Sequence, residues 1–200
     1  MKKRIAVLVS GGGTNLQALI DAENAGKLPH GEISLVISNN PNAYALERAR
    51  VNGIPGAVIS KKECGSQAAF EAQIQAVLER NGTDLIILAG FMCILSENFT
   101  SKWPKRIINV HPSLIPAFCG EGFYGLRVHQ AALDYGVKVT GATVHFVNEV
   151  CDGGEIIAQK AVYIEEGDTP EILQKRVMEQ AEWLLLPQAV ETVSATIIRR

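Results

Sequence analysis

The segment Asn109-Val110-His111-Pro112-Ser113 holds the residue types best suited to chemistry at neutral pH. In an extended strand, positions i and i+2 share a face, so Asn109 and His111 project together. An imidazole titrates near neutrality, and a carboxamide can donate to a developing oxyanion. The same pair also serves in many folds as an ordinary hydrogen-bonded structural pair. Pro112 ends the strand, and Ile115-Pro116 is a candidate cis bond holding the loop that follows. Asp152 opens a D-G-G turn with Gly153 and Gly154, which by composition reads as plain hairpin chemistry. If that turn folds back over His111, its carboxylate can orient the imidazole, stabilise its charged form or relay a proton through water.

A second constellation is Ser10-Gly11-Gly12-Gly13-Thr14-Asn15, set between an apolar run and a helical pattern. Glycines let the backbone approach an anion closely, and free amides at a helix start favour phosphate. A Walker A loop needs Gly-Lys-Ser/Thr, and no lysine follows these glycines. A dinucleotide fingerprint needs a third Gly where Leu16 stands, plus an acid after the second strand, where Ser38-Asn39-Asn40 stand. The loop therefore suggests a monophosphate more than NAD or ATP, with a plain tight turn as the alternative.

The remaining candidates are weaker. His145 alternates with apolar residues in ATVHFV and reads as a core residue or one standing behind the site; His129 lies in a helical pattern and His30 in a loop. No histidine pair has zinc-protease spacing and no carboxylates cluster, so no metal is expected. No G-x-S-x-G elbow occurs, which disfavours an α/β-hydrolase. Cys64, Cys93, Cys119 and Cys151 include no C-x-x-C pair and read as reduced, incidental thiols.

Positioning these groups requires a scaffold, and the chain alternates apolar runs with helical patterns. IAVLVS precedes a helix over Leu16–Ala25, ISLVIS precedes Tyr44–Val51, and PGAVIS precedes Gln67–Arg80. DLIILAG, a short helix near Ser96–Lys102 and RIINVH follow. Near-continuous apolar strands mean helices on both sheet faces, hence an α/β fold with a doubly wound, mostly parallel sheet. Open sheets of this kind bind ligands at the carboxyl ends of their strands, where His111 falls. PSLIPAFCGEGFYG is a long loop of the kind that carries function. After a helix over Leu126–Tyr135, VKVTGATVHFV and EIIAQKAVYI read as an antiparallel pair joined by NEVCDGG. A terminal helix opens at Thr169–Arg176 and runs past Glu182, bent or interrupted by Pro187.

Two hundred residues with 47% hydrophobic content suffice for one core without disulfide or metal staples. The expectation is a single domain over 1–200, with a nucleotide-binding half to about 105 and a catalytic half beyond it. A net charge of −2 excludes a wholly basic footprint for nucleic acid, though not a small anion pocket. The apolar run Ile5–Val9 is too short for a signal peptide or membrane span, so cytoplasm is the expected location, with no membrane partner.

Four blocks in order, SGGGTNLQAL, LAGFM with ILS, INVHPSL-P, and TVHFV with DGG, closely resemble the phosphoribosylglycinamide formyltransferase family, from about residue 4 to about residue 187. The resemblance implies catalytic roles for Asn109, His111 and Asp152. It implies a ribonucleotide phosphate loop at Gly11, Gly12, Gly13, Thr14 and Asn15, with Glu182 on the ribose hydroxyls. It further implies a folate wall from Met92, Cys93, Ile94, Leu95 and Val144, and from Val147, Asn148, Glu149, Val150 and Cys151 in the turn before Asp152. The donor would be 10-formyltetrahydrofolate, a cosubstrate used without metal, and the acceptor glycinamide ribonucleotide. Asn109 and a protonated His111 would meet the tetrahedral oxyanion. A monomer or homodimer is expected.

The chain departs from the family pattern at Cys93 and Gln67, where arginines are usual, and at Trp183, where histidine is. CGEGFYG lengthens the loop before Leu126. Formyltetrahydrofolate deformylase shares this core, but with an added N-terminal domain, and a formyltransferase acting on methionyl-tRNA adds a C-terminal one. Neither addition is expected to fit 200 residues. A formyltransferase with another amine acceptor, or a non-catalytic binding protein using the same pocket, remains as the other reading.

Overall fold

The computed structural model describes residues 1–197, so the last three positions of the expected 1–200 unit lie outside the described residues. One seven-stranded sheet runs through both halves. Its strands are β1 (Lys3–Val9), β2 (Gly31–Ser38), β3 (Gly56–Val58), β4 (Leu85–Leu88), β5 (Ile107–His111), β6 (Val139–Phe146) and β7 (Ile156–Tyr163). Their order is β3-β2-β1-β4-β5-β6-β7. β1 to β5 are parallel, whereas β6 runs antiparallel to both β5 and β7.

The helices are α1 (Thr14–Asn24), α2 (Tyr44–Val51), α3 (Lys61–Cys64), α4 (Gln67–Arg80), α5 (Glu97–Thr100), α6 (Leu126–Tyr135), α7 (Pro170–Val177) and α8 (Trp183–Thr196). Leu16 and Leu19 of α1, Leu173 of α7 and Leu186 of α8 join the odd-numbered side chains of β1, Ile5, Val7 and Val9, in one core. Phe70, Ile74 and Leu78 of α4 join Phe99, Ala6 and Leu8 in the other. The period-two split of β1 thus feeds two apolar layers, which is why its sequence is apolar at every position from Ile5 to Val9.

Three local features differ from the sequence expectation. The third strand shrinks to three residues at the sheet edge. A four-residue helix, α3, follows it, with Ser60 accepting from the Glu63 amide. Pro187 does not interrupt the terminal helix but lies inside α8. The irregularity falls just before it, as a π-helical turn over Met178–Glu182. A proline ring crowds the carbonyl four residues back and offers no N–H, so the turn leading into that carbonyl is where widening relieves it.

Candidate active site at the carboxyl edge of the sheet

β5 ends at His111, and antiparallel β6 sets His145 opposite Asn109 and Thr143 opposite His111. The D-G-G turn between β6 and β7 does fold back onto this strand end. Asp152 adopts a left-handed φ of 54°, and a Cβ at Gly154 would lie 1.7 Å from the Phe146 carbonyl oxygen, so only glycine permits that closure. His111 Nδ1 lies 3.4 Å from Asp152 Oδ2, and His145 Nε2 lies 3.6 Å from Oδ1. Asn109 Nδ2 donates to Asp152 Oδ1 at 3.4 Å and bonds His145 Nε2 at 3.2 Å. All four side chains form one cluster, and those of His111, His145 and Asp152 are below 10% exposed.

The long loop closes this cluster from the other side. His111 Nε2 bonds the Phe118 carbonyl at 2.9 Å, and the Gly120 amide donates to Asp152 Oδ2 at 2.9 Å. Phe118 is another left-handed non-glycine residue, so both backbone outliers of this region touch His111 or its partner. The loop is anchored by Thr143, whose hydroxyl donates to the Ser113 carbonyl at 2.7 Å and accepts the Ile115 amide at 3.0 Å. Ile115-Pro116 is cis, as the sequence suggested.

The electrostatics are opposed within the cluster. Burial is the largest influence on His111 and pushes its pKa below the usual value, against the pull of Asp152 and the Phe118 carbonyl. Burial works to raise the Asp152 pKa, but His145, His111 and the Gly120 amide together hold it below the usual carboxylate value. Burial thus disfavours the charged form of His111 in the resting protein. Its two nitrogens nevertheless face two acceptors, Phe118 O and Asp152, an arrangement that an imidazolium fills better than a neutral ring.

The glycine loop sits at the carboxyl end of β1, two strands from β5 across β4, or about 10 Å along the sheet. Gly13 takes a φ of 71° immediately before α1. Asn15 Nδ2 donates to buried Glu182 Oε2 at 2.7 Å, tying α1 to the π turn. Burial pushes the Glu182 carboxyl up to about 7, although the Asn15 bond opposes this. A recess of about 820 Å³ between α1 and α8, bordered by Thr14, Arg48 and Trp183, opens beside this loop and not over His111.

The residues expected to form a folate wall divide. Met92, Ile94 and Val150 expose more than half of their surface, which is unusual for large apolar side chains. Leu95 and Val144 are buried in the two cores. Cys93 accepts from Asn39 Nδ2 at 3.0 Å, and Gln67 donates to the Ile94 carbonyl at 3.0 Å, so both non-arginine positions are engaged within the fold. Val147 and Asn148 are half-buried, and Glu149 and Cys151 exposed. Among the described residues no His, Cys, Asp and Glu group could hold a metal ion. From sequence His145 reads as a core residue or one standing behind the site, and the Phe118 carbonyl and the Gly120 amide are not singled out at all. The β5–β6 register places the first, and backbone groups leave no sequence signal.

A parallel sheet carrying a glycine loop and an Asn-x-His strand end, extended by an antiparallel pair that returns an aspartate, matches a known class. The chain belongs to the formyl transferase family, whose profile matches residues 3–190. Within it, the chain is 42% identical over 189 residues to phosphoribosylglycinamide formyltransferase of Haemophilus influenzae, covering 94% of this chain and 86% of that protein. The crystal structure of glycinamide ribonucleotide transformylase 1 from Symbiobacterium toebii superposes with a TM-score of 0.91 at 41% identity, covering 100% of this chain and 92% of that one. The chain is also 46% identical to the trifunctional purine biosynthetic protein adenosine-3 of Bos taurus, covering 99% of this chain but only 19% of that protein's length.

Proposed function

We propose that this chain transfers a formyl group from 10-formyltetrahydrofolate to the primary amine of glycinamide ribonucleotide, a step of purine biosynthesis. The observation that carries the reading is the buried Asn109–His111–Asp152–His145 cluster, two strands from an open glycine loop on one sheet edge. A ribose phosphate with a short amine arm spans that interval, its phosphate on Gly11 to Asn15 and its hydroxyls on Glu182. Exposed Met92, Ile94 and Val150 offer an apolar face to the pteridine of the donor. The unit is a single domain of two halves, working in the cytoplasm; no helix among the described residues is long and apolar enough to cross a membrane.

The amine nitrogen attacks the formyl carbon, and the carbonyl π pair moves onto oxygen. Asn109 donates to that oxygen. The proton that the attacking amine loses reaches His111 through water beside Asp152, making it an imidazolium as the negative charge develops, before it passes on to the departing nitrogen. Because burial disfavours a charged His111 at rest, this stabilisation arises mainly in the transition state, where it accelerates the reaction. Collapse breaks the carbon–nitrogen bond to folate, and the departing nitrogen gains the proton that the amine loses. Asp152 supports the imidazolium and passes that proton through water.

Asp152→Asn is expected to lower kcat by at least ~100-fold, in the range of a lost acid–base group, while ribonucleotide binding by calorimetry survives. Near-normal turnover in that variant overturns the assignment. Formyl release measured with and without glycinamide ribonucleotide separates transfer from hydrolysis. Equal rates in the two assays would make the chain a deformylase.

A further inference from the structure

The carbonyls of Ser10, Gly11 and Gly12 are held from behind by a single segment, the turn after β2 and α2 as far as Arg48. Asn40 Nδ2 donates to the Ser10 carbonyl at 3.3 Å, the Ala45 amide to the Gly11 carbonyl at 3.1 Å, and Arg48 Nε to the Gly12 carbonyl at 2.8 Å. In a trans peptide the C=O and N–H point in opposite directions. Fixing three consecutive carbonyls toward α2 therefore turns the amides of Gly11, Gly12 and Gly13 the other way. Among the described residues none of these amides donates to an acceptor. Gly13 completes the contact, since a Cβ there would lie 2.6 Å from Ala45 Cβ, whereas one at Gly11 or Gly12 meets open space.

Of the three donors, only Arg48 carries a charge. Its guanidinium is itself fixed, because Nη1 donates to Gln17 Oε1 at 3.0 Å and the group lies 5.0 Å from the Tyr44 ring centroid. We infer that Arg48 is the positioning residue of the phosphate site. It orients the Gly12–Gly13 peptide plane and adds a fixed positive charge behind it, without itself being the ligand for the phosphate. This explains how a chain with a net charge of −2 can capture a phosphate dianion on backbone amides. The inference rests on the proposed seat of the phosphate at this loop.

The test uses Gly12→Ala, Arg48→Met and Arg48→Lys in the full chain. Binding of glycinamide ribonucleotide and of inorganic phosphate is measured by calorimetry, beside KM for each substrate. Gly12→Ala is expected to weaken ribonucleotide binding with an unchanged thermal midpoint, since its methyl occupies only the open face. Arg48→Met is expected to raise the ribonucleotide KM about tenfold, the effect of one hydrogen bond to a charged group, leaving kcat and the folate KM unchanged. Arg48→Lys, keeping charge and a donor, should recover most of the loss.

If Gly12→Ala leaves binding intact, the loop is not the phosphate site. If Gly12→Ala weakens binding and Arg48→Met does not, the loop stands and the role of Arg48 is refuted. Equal rises in both KM values, or a lysine variant no better than methionine, also refute it, by marking Arg48 as a structural prop. Where the methionine variant does not fold, Arg48→Gln replaces it under the same criteria.

Discussion

Asp152 governs more than His111, because two thiols border it. Cys151 Sγ lies 3.9 Å from Asp152 Oδ2, and Cys119 precedes the residue whose amide binds that oxygen. Burial and then the Asp152 charge raise the pKa of both cysteines, so neither is a ready nucleophile at neutral pH. Asp152→Asn removes the charge, and alkylation of Cys151 by iodoacetamide at pH 7.5 is expected to run several-fold faster in that variant. An unchanged rate, read by mass spectrometry, would mean that the carboxylate does not control these thiols. At this scale the sequence was informative wherever one strand sufficed: Asn109 and His111 follow from a two-residue repeat. His145 did not, because only the β5–β6 register makes it the neighbour of Asn109. The Phe118 carbonyl was invisible for a different reason, as any residue there supplies the same atom.

At the scale of elements, α6 contains an unexpected group. His129 is fully buried, and neither ring nitrogen has a partner among the described residues. Burial, helped by nearby His111, pushes its pKa down to about 4. The unfolded chain takes up a proton near pH 6.5 and the folded one near 4, so acid draws this residue toward the unfolded state. The loss begins as pH falls through 6.5 and reaches about 3 kcal/mol below pH 4. His129→Leu should abolish that contribution, seen as a smaller drop in thermal midpoint between pH 7 and pH 4.5 than in the parent protein. The opposite case is the π turn ahead of α8. Glu182 holds its proton to about pH 7, whereas the unfolded chain releases it near 4.5. Its ionisation therefore destabilises the fold increasingly from pH 4.5, by about 3 kcal/mol once pH exceeds 7. Glu182→Gln is expected to raise the thermal midpoint at pH 8 by several degrees while weakening ribonucleotide binding. A lower midpoint would show that the carboxylate is already stabilised there. Helix α1 and the strands were legible as elements because their apolar periods are strong. The π turn was not, since it answers to a proline one turn further on and to Asn15, 167 residues away.

For the molecule as a whole, β1, β4 and β5 occupy the middle of the sheet, covered on both faces, and the chemistry sits at their carboxyl ends. The alternation of strands and helices made this architecture legible, while the order in which β6 and β7 extend it required the antiparallel pairing itself. That extension has a consequence outside the active site. β7 is an eight-residue border strand with one edge bonded to β6 and, among the described residues, no strand on the other, and most of its side chains are exposed or half-buried. Such a border is a template on which a strand of another molecule can add. Gln159 and Lys160, both polar, stand in its middle, and a lysine on a bare edge makes a stacked copy repel its neighbour. Lys160→Val should accordingly promote concentration-dependent self-association, visible by light scattering, with catalytic constants in dilute solution unaltered. The strand that returns the aspartate to the site thus also requires a guard against fibril-like growth.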